Sequence, residues 1–96
     1  MKLRFTPRAR ADIADIHQYI AQHNTTAAAA VVRQIRETSQ LLSRHPGLGR
    51  ETDISGVRVL PTARYPYPVY HRVLGDQLIV VHVRHGRRDM PEEHEL

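Results

Sequence analysis

Hydrophobic residues recur every three or four positions in the first half of the chain and mostly every second position after it. In "TPRARADIADIHQYIAQHN" the apolar positions form one helical stripe: Ala9, Ile13, Ile16 and Ile20. Thr6 is a suitable N-cap and Pro7 suits the first helical position. The pattern predicts a helix that begins after Thr6 and stops near His23-Asn24.

A second helical pattern runs from about Thr26 to Arg44, with Thr25 or Thr26 as the N-cap and Pro46-Gly47 ending it. The stripe that this helix should bury consists of Ala28, Val31, Ile35, Thr38 and Leu42, with Val32 and Leu41 widening it. Because few residues separate the two helices, they should form an antiparallel hairpin. The segment "HPGLGRETDISG", residues 45–56, is predicted to be a connecting loop.

Strand patterns lie at the start of the chain and again from residue 57 onward. The candidates are "KLRF", "VRVLP", "YPVYHRV" and "QLIVVHV", with Gly75-Asp76 as a turn between the last two. The order β-α-α-β-β-β predicts an α+β domain in which an N-terminal helical hairpin covers one face of a small antiparallel-type sheet. Residues 1–96 are read as a single domain, with residues 90–96 a short acidic tail.

Alternation in the last two strands divides their side chains between two faces. A two-residue turn pairs Leu74 with Gln77, whereas a longer turn would change the partners but not the alternation. The face that we expect the helices to cover carries Tyr70, Arg72, Ile79, Val81 and Val83. The face that we expect to be uncovered carries Tyr67, Val69, His71, Val73, Leu78, Val80, His82 and Arg84.

Composition excludes several kinds of site. The chain has no cysteine, which rules out disulfides, thiolate metal sites and cysteine nucleophiles. The seven histidines lack metal-binding spacing, and no nucleotide-binding loop or serine-nucleophile motif is present. No run approaches the roughly 18–20 apolar residues that span a bilayer. We therefore expect a soluble, cytoplasmic protein that uses no metal and no cofactor.

The positive charge is concentrated in the body of the chain. Residues 1–56 carry eight basic and five acidic groups, residues 57–89 carry six and two, and the tail adds three acids. This favours a nucleic acid or an acidic protein as partner, although simple solubilisation is an open alternative. The groups expected around one sheet edge are Arg58, Arg64, Arg84, His85, Arg87 and Arg88. Such groups suit RNA cleavage, and equally passive contact with phosphates or carboxylates.

Three stretches, "LRFTPRARADIADIHQYIAQH", "HPGLGRE" and "VRVLPTARYPYPVYHRVLGDQLIVVHVRHGRRD", resemble the RelE/ParE superfamily of toxins from bacterial type II toxin–antitoxin modules. The resemblance covers about residues 3–89. It implies a toxin that arrests growth when freed from a cognate antitoxin encoded in the same operon, and a hetero-oligomer with that antitoxin. The antitoxin contacts that we expect on the hairpin and sheet are Ile16, Ile20, Val31, Ile35, His71 and His82.

The resemblance does not decide which cellular target the toxin acts on. RelE-like members cleave mRNA on the ribosome, and here His85, Arg64 and Arg58 would be the catalytic residues. ParE-like members poison DNA gyrase without catalysis, and the candidate target- or phosphate-binding residues are Arg84, Arg87, Arg88, Tyr65 and Tyr67. The absence of tyrosine after "HGRRD" and of lysine beyond Lys2 favours the ParE-like alternative. An inactive member that only binds antitoxin is a third alternative.

Overall fold

The computed structural model describes residues 1–65 and 67–85. Its elements are β1 (Lys2–Phe5), α1 (Pro7–Ala21), α2 (Thr25–Arg44), β2 (Arg50–Glu51), β3 (Arg58–Pro61), β4 (Pro68–Leu74) and β5 (Gln77–Val83). The predicted α+β class and N-terminal helical hairpin are confirmed. The short strand β2 lies inside the segment predicted as a loop, so that part of the prediction is wrong. Two residues are too few to show a strand period.

The five strands form one sheet in the order β1-β5-β4-β3-β2. β1 runs parallel to β5, and the other neighbours are antiparallel, so the sheet is mixed. Leu74 pairs with Gln77, which confirms the two-residue turn. Gly75 has φ 61° at the first turn position, where glycine is favoured.

Side-chain caps determine where both helices begin. The Thr6 hydroxyl accepts a 3.0 Å hydrogen bond from the Ala9 N–H and donates one of 3.0 Å to the Val81 carbonyl, tying the start of α1 to β5. For α2 the cap is Asn24, whose Oδ1 accepts from the Ala27 N–H at 2.9 Å. The prediction of Thr25 or Thr26 as that cap is wrong, since the helix already includes both residues.

The main core lies between the helical hairpin and one sheet face. Its buried members are Ala9, Ile16, Val31, Ile35, Leu42, Val69, Leu78, Val80 and Val83. The expected assignment of the two faces is therefore wrong for Val69, Leu78 and Val80, which the helices cover. Alternation groups residues by face but does not say which face is covered.

A β-bulge in β5 changes the alternation near its end. The register passes from Tyr70↔His82 to His71↔Val80, which leaves Val81 as an extra residue. The bulge places Val83 on the helix-covered face, as predicted. Leu78 and Val80, which were expected on the opposite face, lie on this face too.

The opposite sheet face has a smaller core of its own, formed by Val57, Val59, Tyr70 and Val81 with partly buried Ile54 and Ile79 against it.

His71 and His82 are only 1% and 6% exposed. The expectation that these two histidines lie on an uncovered face is wrong.

Candidate functional site

Four rings from three parts of the chain meet beside one end of the β4–β5 ladder, where β4 begins at Pro68 and β5 ends at Val83. This aromatic cluster consists of Tyr19 on α1, Tyr65 and Tyr67 before β4, and His85 after β5. Ring centroids are 5.0 Å apart for Tyr19–His85 and 5.9 Å for Tyr67–His85, both edge-on. The Tyr65–Tyr67 centroids are 6.5 Å apart. Tyr19 is 58% exposed, so the cluster opens to solvent mainly through this ring.

Local hydrogen bonds hold the tyrosine-bearing loop in place. The Thr62 hydroxyl donates to the Tyr65 carbonyl, and the Tyr67 N–H donates to the same carbonyl at 2.9 Å. The Arg64 N–H donates to Gln34 Oε1 at 3.2 Å, which fixes the loop to α2. Beyond β5, the Arg84 N–H donates to the Pro68 carbonyl at 3.0 Å and so directs the chain that carries His85.

The cluster contains one phenol with a shifted pKa and one enclosed imidazole nitrogen. Burial raises the pKa of Tyr67, and the nearby Tyr65 and Tyr19 raise it further, so its phenol is neutral at physiological pH. The Nε2 atom of His85 is buried without a hydrogen-bond partner in the part of the chain that the structure describes. Sequence reasoning missed Tyr19; the available signal was an aromatic residue placed off the apolar stripe of α1.

Arg58 belongs to a different site. Its Nη1 donates to the Gly49 carbonyl at 3.2 Å, and its Nη2 lies 3.5 Å from Glu51 Oε1. With His71 it lines a polar cleft of about 470 Å³. From the strand ladder, its backbone is roughly 15–20 Å from that of His85.

His71 connects the loop after α2 to the sheet. Its Nδ1 and Nε2 lie 3.2 Å from the carbonyls of Val69 and Leu48, respectively. Burial lowers the pKa of His71; the two carbonyls oppose this effect and the charge of Arg58 adds to it. Gly49 permits the close packing, because a Cβ there would lie 2.5 Å from the Val59 carbonyl oxygen, and its φ is 92°.

The other predicted histidine, His82, is paired with Asp12. The Nδ1 atom lies 2.6 Å from Asp12 Oδ2, which also accepts the Val83 N–H at 3.0 Å. Burial by itself raises the pKa of Asp12, but hydrogen bonds from His82, Val83 and Arg8 outweigh it and hold the pKa below the ordinary value. This pair joins α1 to the bulged end of β5.

An open groove of about 500 Å³ lies between the two helices of the hairpin and the end of β1. We call it the hairpin groove; it is lined by Phe5, Arg10, Ile13, Ala14, His17, Val32 and Arg36. Its lining is mostly apolar and includes two arginines and a histidine. Of the expected antitoxin-binding residues on the helices, Ile16, Val31 and Ile35 are buried in the core and Ile20 is partly buried. The groove therefore presents the edges of their stripes rather than the stripes themselves.

The structure does not unite the proposed catalytic residues. His85 is in the aromatic cluster, Arg58 is in the polar cleft, and Arg64 is exposed on the loop that packs against α2. Arg87, Arg88 and the acidic tail lie outside the described residues. Within residues 1–65 and 67–85, no group of three or more potential ligands could hold a metal ion. No helix in these ranges is both long and apolar enough to traverse a bilayer.

Comparison with known proteins identifies the family. The family described as "ParE toxin of type II toxin-antitoxin system, parDE" matches residues 3–90. The chain belongs to this ParE toxin family. The predicted ParE-like subgroup is thereby confirmed. A curated relative, "Putative toxin Y4kP" of Sinorhizobium fredii (strain NBRC 101917 / NGR234), is 32% identical over 91 residues, covering 95% of this chain and 94% of the relative.

A solved structure described as "Chromosomal ParDE TA system from P. aeruginosa" is also similar. It superposes with a TM-score of 0.76 at 29% identity, covering 86% of this chain and 92% of that one. The chain is thus a type II toxin of the ParDE kind, and its family implies an antitoxin partner.

Proposed function

We propose that this ParE-family toxin acts on DNA gyrase as a binding poison and catalyses no reaction itself. We further propose that it acts in the cytoplasm, where its cognate antitoxin neutralises it. The observation that carries the choice of gyrase over mRNA is the separation of Arg58 from His85. In-line phosphoryl chemistry requires the base, the acid and the phosphate-holding groups within hydrogen-bond reach of one reacting centre.

The contacts of the separated residues support the same choice. The Arg58 guanidinium is held by the Gly49 carbonyl and by Glu51, and Glu51 already offsets part of its charge. The His85 ring lies between Tyr19 and Tyr67, with its Nε2 enclosed. These contacts favour a surface that binds over one that transfers protons to a ribose.

The decisive test runs two assays on one toxin preparation. DNA cleavage and supercoiling by purified gyrase are measured beside mRNA cleavage on programmed ribosomes. We expect gyrase-dependent cleaved DNA and intact mRNA, with Arg58→Ala changing neither result. Codon-phased mRNA cuts with unaffected gyrase would establish the nuclease alternative. If a folded toxin that binds its antitoxin is silent in both assays, the chain is an inactive member of the family.

For the antitoxin, we propose that an acidic, amphipathic segment docks in the hairpin groove. The apolar part of the lining suits the apolar face of such a segment, and Arg10, His17 and Arg36 suit its acidic residues. Segments of this kind fold when they bind, which allows them to cover an extended surface.

Two exposed alanines on α1 provide a matched test of the groove. Ala14 lines the groove and Ala11, one helical turn earlier, is not among the lining residues. Ala14→Glu should weaken antitoxin binding at least about tenfold, because it places a bulky like charge against an acidic segment. Ala11→Glu should leave the affinity within about twofold. Equal affinities of the two variants, measured by calorimetry, would place the antitoxin elsewhere.

A further inference from the structure

We propose that the aromatic cluster binds an unstacked base of single-stranded nucleic acid, with Tyr19 as the stacking surface. This goes beyond the proposed function, because a poison of gyrase needs no nucleic-acid contact of its own. Either proposal can therefore fail without the other.

The geometry of Tyr19 suits a flat ligand. His85 meets the Tyr19 ring edge-on at 80° and 5.0 Å, which supports the ring from the protein side. With 58% of the residue exposed, ring surface is left open to solvent. Aromatic rings held in this way are the usual platforms for unstacked bases, and stacking is tolerant of base identity.

The polar groups around the ring match the rest of a nucleotide. Arg64 and Arg84 directly precede Tyr65 and His85 in the chain, so two cationic residues flank the cluster at the backbone level. The neutral Tyr67 phenol is a potential hydrogen-bond partner for a base edge or sugar. A body with excess positive charge adds long-range attraction for phosphates.

A protein ligand fits this end of the molecule less well. The buried centre of a specific protein interface combines apolar surface with tyrosine and arginine, and this end of the molecule supplies rings and cations but little exposed aliphatic surface among the described residues. Several exposed aliphatic side chains lie instead toward the opposite end of the molecule, which carries the Gly75-Asp76 turn; they are Met1, Leu41, Val73 and Leu74. At that end Lys2 pairs with Gln77, and the Met1 amine donates to the Ser43 carbonyl. Beside the cluster, the large exposed ring is that of Tyr19 alone among the described residues.

The test compares two fluorescent oligonucleotides of equal length by anisotropy at low salt. One is oligothymidylate and the other is abasic, so both carry the same phosphates and only one carries bases. The purified toxin should bind oligothymidylate about tenfold more tightly than the abasic strand. Tyr19→Ala should remove most of this preference, whereas Tyr19→Phe, which keeps a ring, should retain it.

Leu74→Ala is the control, since Leu74 is 64% exposed at the far end of β4. It should keep the full preference for bases. Thermal unfolding must show that Tyr19→Ala folds like the parent chain, as expected for an exposed side chain. Equal affinity for both strands, or an undiminished preference in Tyr19→Ala, overturns the proposal. Loss of gyrase poisoning in Tyr19→Ala, with no base preference in the parent, would assign the cluster to protein binding and also overturn it.

Discussion

At the residue scale, the Asp12 carboxylate joins α1 to β5 through hydrogen bonds. It accepts hydrogen bonds from the His82 imidazole and the Val83 N–H, both about seventy residues away in the chain, and from the Nε–H of Arg8. The sequence showed only an acidic residue in the first half of a helix, beyond the first turn. Its partner could not be predicted, because the contact depends on how α1 lies against the bulged end of β5.

We predict that Asp12→Asn lowers the free energy of unfolding by about 2 kcal/mol, because the His82 imidazole and the Val83 N–H lose a charged hydrogen-bond acceptor. Asp15→Asn is the control: Asp15 is exposed on the same helix, and the change should stay below about 0.5 kcal/mol. Urea denaturation followed by circular dichroism measures both. Similar losses in the two variants would show that the His82 contact contributes little to stability.

At the scale of elements, periodicity predicted both helices and four of the five strands, with ends within a few residues. It failed where the deciding contact lies outside the local pattern. The bulge at Val81 depends on pairing with β4, and β2 exists only because its two residues pair with Val59 and Arg58. Three of the four rings of the aromatic cluster, Tyr65, Tyr67 and His85, were candidate site residues, but Tyr19 required knowing how α1 crosses the sheet.

The start of α2 gives a test at this scale. Asn24→Ala should lower the free energy of unfolding by about 1 kcal/mol, because the Ala27 N–H loses its acceptor. Thr25→Ala should be close to neutral, since Thr25 already lies within the helix and is exposed. Urea midpoints of the two variants make the comparison. A larger effect at Thr25 would restore the cap that the sequence predicted.

At the scale of the whole molecule, a buried histidine and a partly buried aspartate couple stability to pH in the same direction. The pKa of His71 lies below its ordinary value of 6.5 and that of Asp12 below 3.8. For each group the unfolded chain binds a proton at a higher pH than the folded chain does. Each stabilising contribution is therefore complete above the ordinary pKa and is lost as pH falls through the folded one.

We predict that the free energy of unfolding is nearly constant between about pH 7 and pH 9 and begins to fall below about pH 6.5, where His71 protonates first in the unfolded chain. One group can contribute a slope of at most about 1.4 kcal/mol per pH unit.

His71→Gln should flatten this upper range, because glutamine keeps a polar side chain against the Leu48 and Val69 carbonyls but does not titrate. Asp12→Asn should preserve the upper decline and lose the one below about pH 3.8. Urea midpoints measured across this range separate the two contributions. The only proton-binding site that His71→Gln removes is the His71 imidazole. If the slope of unfolding free energy against pH is unchanged in this variant, other groups govern the acid response.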